Sequence, residues 1–230
     1  MAKTPKLGDT PSLKELVYER LRMQIISGEL PPGTKLHEEE LSAEMGISRA
    51  PLREALNMLS RDGFAEIIPR RGAVVSSVSP TDVEDIWCIR LLLEPVAAVM
   101  SLPYLERSEL EEVRAMLDEV LRTPDNFALY MQSDIRVHGL MIDHLKNPYL
   151  ANILVNLKDH SLRVRWNAER QSEKSGHDVV IAATLDHIKI VDAMLAGDAD
   201  AVHDAVAEHI RVSIPRTESC MAPASQQNNA

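Results

Sequence analysis

Residues 46–56 read Gly46-Ile47-Ser48-Arg49-Ala50-Pro51-Leu52-Arg53-Glu54-Ala55-Leu56, and this stretch decides the fold. Gly46 breaks a short helix expected over Glu38 to Met45, and Ser48 can cap a second one, Arg49 to Arg61. Pro51 falls in the first turn of that second helix, where a missing N–H costs nothing. Leu52, Ala55, Leu56 and Leu59 supply a packing face, while Arg49 and Arg53, four apart, share the opposite one. Upstream, Leu13, Leu16, Val17, Leu21, Ile25 and Ile26 recur at helical spacing between Ser12 and Ser27, and Pro31-Pro32-Gly33 makes a turn. Downstream, Asp62-Gly63 turns the chain into a strand, Phe64 to Ile68. A tip at Pro69-Arg70-Arg71-Gly72 then leads to a second strand, Ala73 to Val78. Helix, helix, turn, helix, hairpin is the winged helix-turn-helix plan.

Beyond Ser79-Pro80 the pattern is helical almost throughout. Helices are expected over 81–102, 106–122, 125–145, 148–168, 178–195 and 198–214, with the polar stretch 169–177 as a loop. The expected fold is therefore mainly α: a winged helix-turn-helix with a small hairpin wing over residues 12–78, then an all-α antiparallel bundle over 79–217. Residues 1–11 and 218–230 are polar and are expected to be disordered tails.

The chain has 230 residues and a formal charge of −10, which taken whole argues against nucleic acid. The charge is unevenly spread. Residues 1–78 hold 11 basic and 11 acidic side chains, and the entire deficit lies after residue 78. Between residues 46 and 78 five arginines face three acids, so the recognition surface is locally basic. No apolar run is expected to span a membrane, and the polar N-terminus lacks a signal core, so a cytoplasmic location is expected. Two cysteines exclude a disulfide framework, and Cys88, within an apolar helical stretch, is expected to be a small buried residue.

Arginine at the start of a recognition helix can fork onto guanine O6 and N7 or clamp a phosphate, and a wing tip can meet the backbone or minor groove. On this reading the DNA contacts are Ser48, Arg49, Pro51, Arg53, Arg70, Arg71 and Gly72.

Seven of the eight histidines follow residue 130. Helix 125–145 has the stripe Phe127, Met131, Asp134, His138, Met141, Leu145, so Asp134 and His138 are i, i+4 neighbours on an apolar face. Helix 178–195 turns His187 inward with Val180, Thr184, Val191 and Met194, and helix 198–214 turns His209 inward with Val202 and Ala205. One acid and three imidazoles from facing helices suit Zn, Ni or a similar divalent ion. A metal-free hydrogen-bonded network of the same four groups is the competing reading. His203, beside Asp200 and Asp204, reads as solvated.

The stretches Pro32-Gly33-Thr34-Lys35-Leu36, Glu38-Glu39-Glu40-Leu41 and Gly46 to Leu56, continued by Asp62-Gly63-Phe64 and Pro69-Arg70-Arg71-Gly72, resemble the GntR family of bacterial transcription regulators. That resemblance implies operator binding as a homodimer, with Arg49 and Arg53 as principal contacts. Some members carry an arginine where this chain has Glu39, so no contact is carried over there. Arg90-Leu91-Leu92-Leu93-Glu94-Pro95, Asp134-Ile135-Arg136-Val137-His138, Asp186-His187 and Glu208-His209 resemble the FCD effector domain of the FadR-type branch. Many members use an Asp and three His as metal ligands, and Asp134, His138, His187 and His209 match those positions. Val137 and Asp186 stand where the family often has Phe and Glu. Both neighbour ligands rather than being ligands.

Such an ion leaves room for a small organic acid whose carboxylate completes its shell. Arg90 is a candidate carboxylate partner, with an i, i+4 pair to Glu94 as the alternative, and Arg163 or Arg165 is a further candidate. The function implied is a ligand-responsive regulator, a repressor by family habit, and not an enzyme. A metal-dependent hydrolase would need a positioned general base, which no remaining inward acid or histidine obviously supplies.

Overall fold

The structure is a computed structural model and describes residues 11–69, 72–171 and 176–221. The chain divides into two compact units, Met1–Val78 and Ser79–Ala230.

The first unit follows the expected plan. Helix α1 (Leu13–Ile26) opens at Ser12, whose N–H and hydroxyl both donate to the Glu15 carboxylate at 2.7 and 2.8 Å. It buries Val17, Leu21, Ile25 and Ile26 against Leu52, Ala55, Leu56 and Leu59 of α3 (Arg49–Arg61). Between them α2 (Glu38–Met45) ends on Gly46, whose φ of 65° is the left-handed conformation that turns the chain into α3. The wing differs from expectation in one respect. A two-residue strand, β1 (Lys35–Leu36), joins β2 (Ala65–Ile68) and β3 (Gly72–Val75) in a sheet of order β1-β3-β2. Both pairings are antiparallel, with Lys35 opposite Val74 and Ile68 opposite Gly72. Leu36, Phe64, Ala65, Ala73 and Val75 carry the sheet's buried face into the helical core. Two residues are too few to show a strand period, so β1 had no sequence signal.

The second unit is a helical bundle of α4 (Pro80–Ser101), a 3₁₀ turn (Leu102–Tyr104), α5 (Arg107–Arg122), α6 (Phe127–Ile142), α7 (Pro148–Gln171), α8 (Gly176–Ala196) and α9 (Ala199–Met221). Ser79 caps α4: its Oγ accepts from the Asp82 N–H at 3.1 Å, while Asp82 accepts from the Ser79 N–H at 2.7 Å. Helix α4 packs on α6, α7 and α9, and the Trp87 indole N–H donates to Ser213 Oγ of α9 at 2.7 Å.

Several expectations are corrected here. Helix α7 continues to Gln171 and α8 begins at Gly176, so most of the expected loop 169–177 is helical. Helix α9 runs across Pro215 to Met221, past the expected end at 214 and into the expected tail. Pro215 is exposed, so the carbonyl whose partner it removes can be solvated. The rest of that tail, and residues 1–10, lie outside the described residues. Cys88 is exposed rather than buried, because it lies on the side of α4 away from Trp87 and Arg90. Finally, Thr81–Tyr104 is long and apolar enough by composition to cross a membrane, with mean hydropathy 1.5, contrary to expectation. Its buried side nevertheless carries Arg90 and Glu94, whose charges mark a helix packed within protein.

Candidate functional site

The recognition helix presents its first turn to solvent. Ser48 holds the N-cap position in extended conformation without a side-chain capping bond, and Ser48, Arg49, Arg53 and Gly72 are all exposed, with Pro51 half-buried. The two arginines are not bare. Arg49 donates to Glu39 at 2.8 Å, and Arg53 forks onto Glu38, with Nη2 at 2.7 Å and Nε at 3.1 Å. The hydrogen bond from Arg53 lowers the Glu38 carboxyl below its ordinary value. Sequence reasoning had assigned these acids no such role. The signal was available, since a run of three acids in α2 packs beside a helix led by arginine. Arg70 and Arg71 lie outside the described residues.

In the second unit three imidazoles meet inside the bundle. His138 comes from α6, His187 from α8 and His209 from α9, and one ligand nitrogen from each lies within 4.8 Å of the others. Their ring centroids are 4.7 to 5.6 Å apart, and all three are buried. Burial lowers all three: His187 to about 3, His209 well below its ordinary value, and His138 despite the opposing pull of Glu94 and Asp134. They are therefore neutral, the form that binds a metal. His138 Nε2 and both ring nitrogens of His187 and His209 have no hydrogen-bond partner. Five buried polar atoms in one cluster without partners require an explanation, and an ion supplies one.

Asp134 stands beside two of the rings, its Oδ1 at 3.8 Å from His138 Nε2 and 3.7 Å from His187 Nε2. Both of its oxygens accept from Arg165 of α7, at 2.7 and 2.9 Å. Burial would raise this carboxyl, but the Arg165 charge and hydrogen bond, together with His138 and His187, outweigh burial and hold it at about 2. Glu94 behaves in the same way. Burial opposes its ionisation, and Arg90 and His138 hold it well below the usual carboxylate range. Arg90 Nε donates to Glu94 at 2.7 Å, while its guanidinium lies 5.2 Å from the Trp87 ring centroid.

The model of bacterial regulatory proteins of the gntR family matches residues 13–75, and that of the FCD domain matches residues 85–212. The chain belongs to the GntR family. It is a transcription regulator with a helix-turn-helix DNA-binding domain and an FCD effector domain, of the FadR-type branch, and not an enzyme. The regulator is 29% identical over 147 residues to YdhC of Bacillus subtilis (strain 168), an uncharacterized HTH-type transcriptional regulator. That match covers 62% of this chain and 65% of YdhC. It is 26% identical over 218 residues to the HTH-type transcriptional repressor RspR of Escherichia coli (strain K12), covering 90% and 89% of the two chains. The solved structure of E. coli McbR/YncC has the same fold, with a TM-score of 0.78 at 20% identity over 91% of this chain and 99% of that one.

The four residues expected as ligands thus sit together in the regulator's FCD domain, although the carboxylate is shared with a guanidinium. Arg90 takes the i, i+4 pairing with Glu94 and lies near the histidines, lowering His209 further. Arg163 is buried on a different side of α7, with Asp82 at the start of α4 as its coulombic partner. Asp82 and Glu94 are twelve residues apart on one helix, about 18 Å along its axis. Arg165, two residues from Arg163, holds the place beside the histidines. Its sequence signal was the buried stripe Leu154, Leu157, Ser161, Arg165, which runs at helical spacing along α7. Of the remaining histidines, His203 pairs with Asp204 at 3.3 Å in solvent, and His144 pairs with Glu109 at 2.8 Å.

Proposed function

We propose that this regulator is a cytoplasmic repressor that binds a palindromic operator as a homodimer. It senses a small organic acid at a divalent metal ion, Zn or Ni, in its FCD domain. The observation that carries the reading is the meeting of three buried, neutral imidazoles, five of whose six ring nitrogens have no hydrogen-bond partner. His138, His187 and His209 would hold the ion, with Asp134 beside them. When bound, the ion supplies a Lewis-acid centre to which a carboxylate can attach. Effector binding changes operator affinity only as far as it favours one arrangement of the dimer over another. On the DNA side, Ser48, Arg49, Pro51, Arg53 and Gly72, with Arg70 and Arg71 of the wing, form the contact set. A pair of such units matches the two-fold symmetry of a palindrome.

The dimer reading draws on α4. Ile89, Leu92, Val96 and Met100 recur at intervals of three and four on its exposed side, and Leu92 is 67% exposed. A second copy of α4 is the occupant that buries this stripe against itself, as an isologous interface requires.

The bidentate hold of Arg165 on Asp134 favours a second reading, in which the polar core is structural and free of metal. Two measurements decide between them. Protein purified without chelator should carry close to one Zn or Ni per chain by elemental analysis and should melt higher when the ion is added. Substoichiometric metal with an unchanged melt leaves the structural reading. A mobility shift on DNA upstream of the regulator's own gene should be sequence-specific, and binding that ignores sequence removes the regulator reading of the arginine face.

A further inference from the structure

The buried charges around the histidines balance one another. Arg165 engages both oxygens of Asp134, the acid that stands against two of the three imidazoles. Arg90 engages both oxygens of Glu94, at 2.7 and 3.3 Å, and Glu94 in turn lies 3.5 Å from His138 Nδ1. All four charged side chains are buried, so two guanidinium groups face two carboxylates; Asp186, which also acts on His187, is offset by Lys189 at 3.0 Å, and these groups together are neutral. A divalent cation among neutral imidazoles changes this, leaving two positive charges in excess where solvent cannot disperse them. Nor can Asp134 serve two cations fully. An oxygen bound to Zn sits at about 2.0–2.2 Å from it, and although each carboxylate oxygen keeps a second lone pair, the single negative charge that Arg165 now neutralises is then shared with the ion.

We propose that Arg165 is a counter-cation lock on Asp134, which competes with the metal ion for that carboxylate and is taken over by an anion arriving with the ion. The inference rests on the metal-site reading above and adds to it the charge of the ligand. A dianion, such as a small dicarboxylate, restores neutrality: one carboxylate reaches the ion and the other replaces Asp134 as the partner of Arg165. Ion and dianion then bind with positive and reciprocal coupling, each raising the affinity for the other by the same factor. Arg165 is in this sense a positioning residue for Asp134 and a contact for the ligand. A monoanion fills only half of the requirement.

Calorimetric titration of the full chain with Ni²⁺ alone, in buffer without carboxylates, tests the lock. Arg165→Gln should bind the ion about tenfold more tightly than the wild type, because Asp134 is released to it. The gain should vanish in Arg165→Gln/Asp134→Asn, which shows that it acts through that carboxylate. In the wild type, millimolar succinate should tighten Ni²⁺ binding about fivefold or more and acetate less, and Arg165→Gln should lose this enhancement. Should the Gln variant fail to fold, Arg165→Lys carries the test: a lysine keeps the charge but not the fork, and tightening of about threefold is expected. Wild-type binding with an unchanged or weaker affinity in Arg165→Gln, or a gain that survives Asp134→Asn, overturns the lock and leaves the metal site standing. Ni²⁺ binding to neither chain removes the metal site and the lock together.

Discussion

Arg53 meets Glu38 in the DNA-reading unit with 64% of its side chain in solvent, whereas Arg165 meets Asp134 in the FCD domain with 5% exposed. The chemistry is the same, a guanidinium fork on a carboxylate, and the surroundings set what it does. In water such a pair is screened and contributes little to stability, so it can be exchanged for a phosphate without loss of fold. In the bundle each partner has given up its hydration, so neither can leave unless another charge takes its place. The first arrangement suits a surface that must bind and release DNA. The second suits a sensor in which a ligand must bring its own charge.

The strongest way to break this contrast is to remove one buried partner. Arg90→Met leaves Glu94 buried and uncompensated, and the FCD domain should lose about 3–5 kcal/mol of stability. Both tryptophans, Trp87 and Trp166, lie in that unit, so denaturation followed by intrinsic fluorescence reads it selectively. A loss below 1 kcal/mol would place the pair with the surface bridges and remove the distinction.

Acid provides the next test, on protein treated with chelator. An unfolded histidine takes up its proton near pH 6.5, whereas folded His187 resists until about pH 3. Between those values the unfolded chain binds more protons, so stability is full above pH 6.5 and falls as the pH drops, by about 1.4 kcal/mol per unit for this group alone. Asp134 adds nothing to this slope above its ordinary value, since it is ionised in both states there. The fluorescence melt should fall steadily from pH 6.5 to 4.5. A flat profile would mean that the imidazoles are not desolvated as their burial requires.

The smallest change in stability belongs to the DNA-reading unit. Arg53→Ala should leave the melting temperature almost unchanged, because its bridge is exposed. Operator binding should nevertheless weaken by about 1–3 kcal/mol in a mobility-shift titration if Arg53 reads a base. Equal losses in folding and binding would show that the surface pair is structural after all.

The recognition helix could be read directly because its signals are local: a capping position, a proline in the first turn and a leucine face within eleven residues. The convergence of His138, His187 and His209 could be read because each interrupts an apolar stripe, and three such interruptions on facing helices tend to meet. The choice between Arg163 and Arg165 could not be read so simply. Two residues differ by about 200° around a helix, and the rotation of α7 is fixed by how its apolar stripe packs on its neighbours. The exposure of Cys88 has a similar cause: α4 is apolar nearly all round, so its sequence does not say which side meets protein. The continuation of α9 through Pro215 escapes any rule based on local helix breakers, since an exposed proline costs one hydrogen bond and leaves the rest of the helix intact.

The bond from Trp87 to Ser213 has a consequence for how the chain is made. Its two ends are 126 residues apart, and the helices they join are the first and last of that unit among the described residues. At about 5–20 residues per second, α9 is synthesised some 6–25 s after α4. The DNA-reading unit, complete by Val78, can fold during that interval, whereas α4 waits with its apolar flanks uncovered. The DNA-reading unit can therefore be complete before the sensing unit exists, and the order of synthesis alone separates the two in time.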